Sequence, residues 1–288
     1  SAASDVYKRQ LRCLDADSGK EIWKSAQLGG AGFRSYWPVV TGGKVIVGTM
    51  RAQAFNIGIG RDRAFLDKHA NLLPTRRGGG KARHEDLQPH IIEWLAKNPN
   101  DQTLFFLNAS DGKSAGIPPA LALAGHGTAY PPVAVGKDGT IYLEYCLFRV
   151  GESQPAALGW VDFTDEGIRF HEFCHGGGTS RDRRGLFVAF NVTDISQLLI
   201  VGGDKIFGRG AQGMSLGAFD LKTKQPMAIG HGRVNVARPS YNVFRTNGGS
   251  DSPLALADNK LFLVDNSSMV CIGAPATSKK APSTPKGK

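Results

Sequence analysis

The chain has 288 residues, of which 41% are hydrophobic, and its formal net charge is +10. Every apolar run is shorter than the roughly 18 residues of a membrane-spanning helix, so no transmembrane segment is predicted. Four of the positive charges are lysines of the C-terminal tail, and basic residues are not interleaved with aromatic ones as in a nucleic-acid groove. We therefore expect no nucleic-acid partner. The 37 glycines, short apolar runs and scarce periodic helices favour an all-β protein.

The first ten residues, Ser1–Gln10, read Ser-Ala-Ala-Ser-Asp-Val-Tyr-Lys-Arg-Gln. This run resembles the in-frame translation of a transposase-type sequencing adaptor. We interpret residues 1–10 as an artefact and exclude them from the fold prediction. On this interpretation the chain is the C-terminal part of a longer protein, and a signal peptide is not observable in this sequence even if the parent protein has one.

The clearest motif is Leu14–Trp23, which reads Leu-Asp-Ala-Asp-Ser-Gly-Lys-Glu-Ile-Trp. It predicts a strand end, a turn and a return strand. Asp and Ser side chains bond to the backbone in such turns, and Gly19 accepts a positive φ at no steric cost. Trp23 offers a large flat surface for packing against a neighbouring sheet. A second local signal is Gly42-Gly43, which lies between two apolar runs and predicts a β-hairpin.

Residues 58–100 have a different character, because they are charged and carry helical rather than strand signals. Within them Asp86–Lys97 is predicted to be a helix, with Asp86 as its N-cap. A second short helix is predicted at Phe65–Leu73. We interpret the region as an insertion between strands. The longer helix has one apolar stripe, formed by Leu87, Ile91, Trp94 and Leu95.

Weaker copies of the first motif follow along the chain, the best of them at Leu107–Lys113. The intervals between equivalent turn positions are 93, 54, 58 and 53 residues, and removing roughly 39 inserted residues brings the first to about 54. A regular period of this size, with room for four short strands, is typical of a propeller blade. The turn positions are Asp15, Asn108, Asp162, Asp220 and Gly273.

The pattern Leu-Asp-Ala-x-[Ser/Thr]-Gly-Lys-x-x-Trp at Leu14–Trp23 resembles the repeat of pyrroloquinoline-quinone (PQQ)-like β-propellers. The resemblance implies an all-β propeller of four-stranded blades over residues 11–275, with about four to five blades in this chain. The helical insertion at about 58–100 would interrupt it, and residues 276–288 would form a disordered tail.

In that family the motif's Trp packs between adjacent blades, which makes Trp23 a candidate packing residue. Later copies depart from the pattern. In the copy at Asp220, Lys224 replaces the turn glycine and Ala228 replaces the Trp, and in the copy at Asp162 the turn is one residue longer. The resemblance therefore predicts less regular contacts between the later blades.

The resemblance implies two functional classes. Some family members are quinoprotein dehydrogenases that bind PQQ and calcium, and often carry two adjacent cysteines near the cofactor. Many others bind no cofactor and act as periplasmic scaffolds. The four cysteines of this chain form neither a Cys-Cys nor a Cys-x-x-Cys pair, which also argues against zinc ribbons, dithiol redox motifs and haem attachment. They are Cys13, Cys146, Cys174 and Cys271.

Two further groups of reactive residue types allow a metal-binding or nucleophilic interpretation beside a structural one. His84 and His90 are six residues apart, off the i, i+4 spacing of helical metal ligands, and a solvated helix start is favoured over a metal site. His171, Cys174 and His175 form the densest cluster, in which a Cys-His nucleophile is conceivable. Adjacent residues of a strand point to opposite faces, so a strand end is the favoured interpretation.

We predict a non-enzymatic, extracytoplasmic scaffold or binding module, whose partner is a protein or a small ligand on the propeller's loop face. The alternative is the remnant of a PQQ- and calcium-dependent oxidoreductase. No catalytic or metal residue and no cofactor is predicted. Candidate loop-face residues are Arg238, Arg245 and Asp251. Candidate blade-packing or surface residues are Trp23, Trp37 and Tyr36, the last two of which would alternatively suit carbohydrate binding.

Overall fold

The computed structural model describes residues 2–5, 9–30, 32–33, 37–49, 65, 68–69, 84–120, 132–146, 156–176, 199–209, 216–228, 254–264 and 269–273. These residues are mostly β, as the sequence predicts. Their strands form five small antiparallel sheets, and each sheet is built from consecutive strands. Among the described strands, no sheet closes on itself.

The sheets are numbered I to V along the chain. Sheet I comprises β1 (Ala2–Asp5), β2 (Gln10–Leu14) and β3 (Glu21–Lys24). Sheet II comprises β4 (Val39–Thr41), β5 (Lys44–Gly48) and β6 (Leu104–Asn108). Sheet III comprises β7 (Ala134–Val135), β8 (Ile141–Cys146), β9 (Ala156–Thr164) and β10 (Gly167–Gly176). Sheet IV comprises β11 (Ile200–Gly202), β12 (Lys205–Arg209), β13 (Leu216–Asp220) and β14 (Gln225–Ala228). Sheet V comprises β15 (Leu254–Ala257), β16 (Lys260–Val264) and β17 (Met269–Ile272).

The hairpin turns follow from local backbone chemistry. Gly42 and Gly43 join β4 to β5 with φ of 53° and 71°, which confirms the predicted hairpin. Asp258 and Asn259 join β15 to β16 with φ of 49° and 57°. Two consecutive positive φ values match the right-handed twist of paired strands, and Gly, Asn and Asp adopt them most readily.

The sheets stack face to face in chain order. Strands β5 and β6 of sheet II are buried on both faces, which explains why Leu104–Asn108 shows no alternation of apolar and polar residues. Its face toward sheet I packs Val45, Val47, Phe105 and Leu107 against Leu11 and Trp23. Its opposite face packs Ile46, Leu104 and Phe106 into the largest core cluster, together with Ile141, Leu143, Val161, Ile168 and Phe170 of sheet III.

The stacking continues beyond sheet III. Its second face packs Tyr142 and Trp160 against Ile206 and Phe219 of sheet IV. At the next junction Gly202 lies so close to sheet V that an added Cβ would be 2.3 Å from a methyl carbon of Leu256. The first strands of these sheets are neighbours too, since β7 contacts β11 and β11 contacts β15.

The predicted insertion contains helix α1, His84–Lys97, followed by a 3₁₀-helix at Pro99–Asp101. The helix ends where predicted but begins two residues earlier, so the prediction of Asp86 as N-cap is wrong. Of the predicted helix at Phe65–Leu73, only Phe65, Lys68 and His69 are described, and the amide of His69 donates to the carbonyl of Phe65 at 3.1 Å. The predicted apolar stripe is confirmed, with Leu87, Ile91 and Leu95 fully buried and Trp94 packed beside them.

The first residues of the chain extend sheet I. Ala2–Asp5 pairs with β2 in antiparallel register, with Ala2 opposite Cys13 and Asp5 opposite Gln10. The origin of this segment as a translated adaptor stays a prediction. The predicted tail, residues 276–288, lies outside the described residues.

Candidate functional site: a groove between the inserted helix and sheet III

Helix α1 lies against the outer edge of sheet III, where β10 is the last strand. The buried side chains of Leu87, Ile91 and Leu95 enter the same core cluster as Ile168 and Phe170 of β10. Burying the apolar face of a helix is the main source of its stability in a protein. Helix α1 is therefore held against the core that sheets II and III share.

A single glutamine side chain joins the helix to the strand edge. The amide Nε2 of Gln88 donates to the carbonyl of Phe170 at 2.6 Å, and the backbone N–H of Phe170 donates to Oε1 of Gln88 at 3.0 Å. Both residues are buried. A carboxamide carries a donor and an acceptor side by side, so it makes the two hydrogen bonds that a neighbouring strand would otherwise make. The edge of β10 is thus covered at this point.

Beside this amide contact, a groove of about 530 Å³ separates α1 from the β9–β10 hairpin. Pro89 and Ile92 line it from the helix, and the ion pair between Glu166 and Arg169 lies at the tip of the hairpin. Among the described residues that line it, apolar side chains stand beside a small number of charged and polar ones, a composition typical of a binding groove. The lining residues are Gln88, Pro89, Ile92, Glu166, Ile168, Arg169, Phe170 and His171.

One lining residue, His171, is held by aromatic stacking. Its ring lies 4.7 Å from that of Trp160, centroid to centroid, at an interplanar angle of 20°. Its Nε2 is 3.7 Å from a carboxylate oxygen of Asp162. Cys174 and His175, the other members of the predicted reactive cluster, also belong to β10, but their side chains lie outside the described residues. A register shift between Glu172 and Cys174 separates them from His171.

A second group of titratable residues surrounds α1 away from the groove. The rings of His69 and His90 lie 4.5 Å apart, centroid to centroid, and Phe65 contacts His69 at 4.7 Å. The described partner of His90 is thus His69, and the side chain of His84 lies outside the described residues. Within the described ranges, no three His, Cys, Asp or Glu side chains are placed to hold a metal ion.

The predicted packing residues have different surroundings. Trp23 is only 8% exposed, and its indole N–H donates to the carbonyl of Ala109 in sheet II's turn at 2.8 Å. Trp37 is 56% exposed. Tyr36 and the predicted loop-face residues lie outside the described residues, so their roles stay predictions; the latter are Arg238, Arg245 and Asp251.

Sequence reasoning missed the residues that build the groove. Gln88 follows Leu87 on a helix whose polar positions look equivalent, and its partner Phe170 is 82 residues away. The long apolar stripe of α1 was a usable signal that this helix docks on a sheet. Nothing in the sequence indicates which sheet edge it covers.

No protein-family model matches the chain, and no curated protein matches it significantly. Within the described part of the chain, no helix combines the length and apolar character needed to cross a membrane. The arrangement itself is therefore the basis for any functional inference.

Proposed function

We propose that the chain belongs to a PQQ-like β-propeller and acts as a non-enzymatic, extracytoplasmic binding scaffold whose partner is a protein segment. The observation that carries the proposal is the stacking of small antiparallel sheets in chain order, in which sheets I to IV share core clusters and sheet V lies beside sheet IV. Blades of a propeller follow one another in this way, each as a meander of consecutive strands. The extracytoplasmic location rests on the family resemblance.

A repeated contact between sheets supports the propeller. In three successive sheets an aromatic ring reaches the turn region of the next sheet. Trp23 of sheet I reaches Ala109 and Gly112, whose added Cβ would be 2.4 Å from the indole. Phe106 of sheet II lies 5.5 Å from Phe163, and Trp160 of sheet III has the ammonium of Lys224 5.3 Å above its ring. A repeat that stacks regularly makes equivalent contacts at each junction.

The groove beside α1 supports a binding role for the insertion. Its walls combine apolar side chains with a small number of charged groups, and its volume of about 530 Å³ lies within the range of ordinary ligand sites. One wall is an edge strand and the other a helix, a setting in which extended peptide segments bind to proteins. We therefore place the partner's contact surface at this groove as well as on the loop face.

Selection from a displayed random-peptide library on the immobilised protein tests the binding role. We expect enriched peptides whose affinity falls at least tenfold in the Ile92→Arg variant, because Ile92 lines the groove. The matched control is Ile22→Arg, since Ile22 lies on β3 in sheet I, is 60% exposed and is absent from the groove lining. Binding that is equal in both variants, or no enrichment at all, would contradict the groove as the binding site.

The absence of enzymatic activity has its own test. PQQ and calcium are added to the protein, and the absorbance of the quinone and the reduction of an electron-accepting dye are followed with alcohol and sugar substrates. We expect no saturable binding and no dye reduction above the rate with denatured protein. Stoichiometric PQQ binding with dye reduction would favour the quinoprotein alternative and overturn the scaffold proposal.

A further inference from the structure

Two histidines meet at the surface of α1 that faces away from the groove lining. His69 is 7% exposed, and its ring contacts that of His90 at 4.5 Å and 38°. The fully buried Phe65 extends the same contact, with its ring 4.7 Å from His69 and 5.6 Å from Trp94. Phe65 and His69 are therefore attached to the helix through one continuous stack of rings.

The charged groups around this stack leave little compensation for an imidazolium ion. The described ones that face His69 are Lys68, His90 and Glu93. The Glu93 carboxylate already lies 2.6 Å from the ammonium of Lys97 and 4.0 Å from that of Lys68. Its hydrogen bond with Lys97 lowers the pKa of Glu93, so it stays ionised and committed to these lysines at mildly acid pH.

Burial favours the neutral form of His69, whereas Glu93 stays ionised. Desolvation lowers the pKa of His69, and the neighbouring His90 and Lys68 lower it further, while Glu93 partly opposes them. The attached state thus disfavours the protonated imidazole relative to a detached one, whose pKa is near 6.5. A group of this kind stabilises the attached state above that value and loses the effect as the pH falls below it.

We propose that the contact between His69 and His90 is an acid-sensitive latch, which holds Phe65 and His69 on α1 at neutral pH and releases them when the buried imidazole of His69 becomes protonated. A protonated His69 would be a buried charge beside the ammonium of Lys68, and the surroundings on α1 disfavour that form of the ring. The latch does not depend on the proposed function, because it concerns the attachment of two residues to α1 whether or not the groove binds a peptide.

Amide hydrogen exchange of the whole chain, followed by NMR, tests the latch. The amide of His69 is the reporter, since it is hydrogen-bonded to the carbonyl of Phe65. After correction for the intrinsic pH dependence of exchange, we expect its rate to be about tenfold faster at pH 5.5 than at pH 7.5. The amides of β6 (Leu104–Asn108) are the internal reference and should keep their corrected rates.

Two variants keep the test decisive. His69→Phe retains a ring for the stack but cannot be protonated, so its corrected exchange rate should be the same at both pH values. His90→Gln removes the neighbouring ring that helps to lower the pKa of His69 and should reduce the acceleration several-fold. The latch is overturned if the wild-type rate does not change, if the acceleration persists in His69→Phe, or if β6 accelerates equally, which would show general acid unfolding.

Discussion

The junction between sheets I and II and the junction between sheets III and IV are both packed by a large aromatic ring, but the ring lies on different strands. At the first, Trp23 of β3 covers the turn of sheet II, and its cross-strand partner is the small residue Cys13. At the second, the position four residues after the turn glycine holds His171, and its cross-strand partner is Trp160. The large aromatic has therefore moved from the return strand to the strand before the turn.

This exchange leaves the junction intact because residues directly opposite each other in an antiparallel pair share one face of the sheet. Trp160 stacks on His171 and contacts Lys224 in the turn of sheet IV, as Trp23 contacts Gly112 in the turn of sheet II. The unit that recurs is thus a cross-strand pair with at least one large ring, rather than a Trp at one sequence position.

Among the substitutions that test this comparison, replacing the two tryptophans by alanine is expected to change the free energy of unfolding most. Trp23→Ala should lower the free energy of unfolding by about 3–5 kcal/mol, because it empties a buried site and leaves the Ala109 carbonyl without its donor. Trp160 is only partly buried and keeps His171 beside it, so Trp160→Ala should cost about 2 kcal/mol.

Urea unfolding of both variants measures the difference. Trp37→Ala is the control, because Trp37 is 56% exposed, and it should change the free energy of unfolding by less than about 0.5 kcal/mol. If Trp23→Ala and Trp160→Ala lowered the free energy of unfolding equally, this would contradict the idea that His171 also contributes to packing at the second junction.

Two glycines give a matched test of the first junction. Gly19 and Gly112 have the same turn conformation, with φ of 69° and 70°, but an added Cβ meets nothing within 4 Å at Gly19 and lies 2.4 Å from the indole of Trp23 at Gly112. Gly19→Ala should cost about 1 kcal/mol from backbone strain alone. Gly112→Ala should cost about 3 kcal/mol, because it also displaces the indole.

A double-mutant cycle separates the two causes. In a Trp23→Ala background the clash is absent, so Gly112→Ala should then cost only as much as Gly19→Ala. An unchanged penalty in that background would show that the cost at Gly112 comes from something other than the contact with Trp23.

The sequence was sufficient for features that depend on neighbouring residues. The turn at Leu14–Trp23, the Gly42-Gly43 hairpin and the apolar stripe of α1 are all specified by residues within a few positions of each other. In the turn, for example, the Asp15 carboxylate accepts hydrogen bonds from both the backbone N–H and the hydroxyl of Ser18, three residues further on.

Contacts between distant residues were not predictable in this way. The repeat pattern has its Trp at one sequence position, whereas in the structure the large ring can lie on either strand of the hairpin. The sequence therefore did not indicate Trp160 and His171 as the counterpart of Cys13 and Trp23. The Gln88–Phe170 and His69–His90 contacts join segments whose relative position is set by how the sheets stack. One sequence by itself carries no record of which distant residues meet.

Acidification provides a smaller test of the turns. Hydrogen bonds from Ser18 lower the pKa of Asp15 below its usual 3.8, and those from Thr223 and Lys222 do the same for Asp220. These carboxylates therefore stabilise the fold above pH 3.8 and lose the effect as the pH falls through their lowered values. The equivalent residue in sheet II is Asn108, which does not titrate.

Asp15→Asn and Asp220→Asn should each make the free energy of unfolding less dependent on pH between pH 5 and pH 2, since asparagine preserves an acceptor oxygen. Urea titrations at several pH values measure the slope. A slope equal to that of the wild type in both variants would contradict a contribution from these turns to acid sensitivity.

The smallest expected effect concerns Lys224, the residue that replaces glycine in the turn of sheet IV. Its φ of 56° is strained for a side chain, and its ammonium lies 5.3 Å above the ring of Trp160. Lys224→Gly relieves strain of about 1 kcal/mol and removes a cation–π contact of about 0.5–1 kcal/mol, so the net change should stay within about 0.5 kcal/mol.

The same Lys224→Gly substitution in the Trp160→Ala background separates the two opposing contributions. There the cation–π contact is already absent and the strain remains, so Lys224→Gly should stabilise the protein by about 1 kcal/mol. A neutral substitution in both backgrounds would mean that the lysine and the ring do not interact. The second junction would then depend on the packing of Trp160 and His171, without a contribution from the lysine charge.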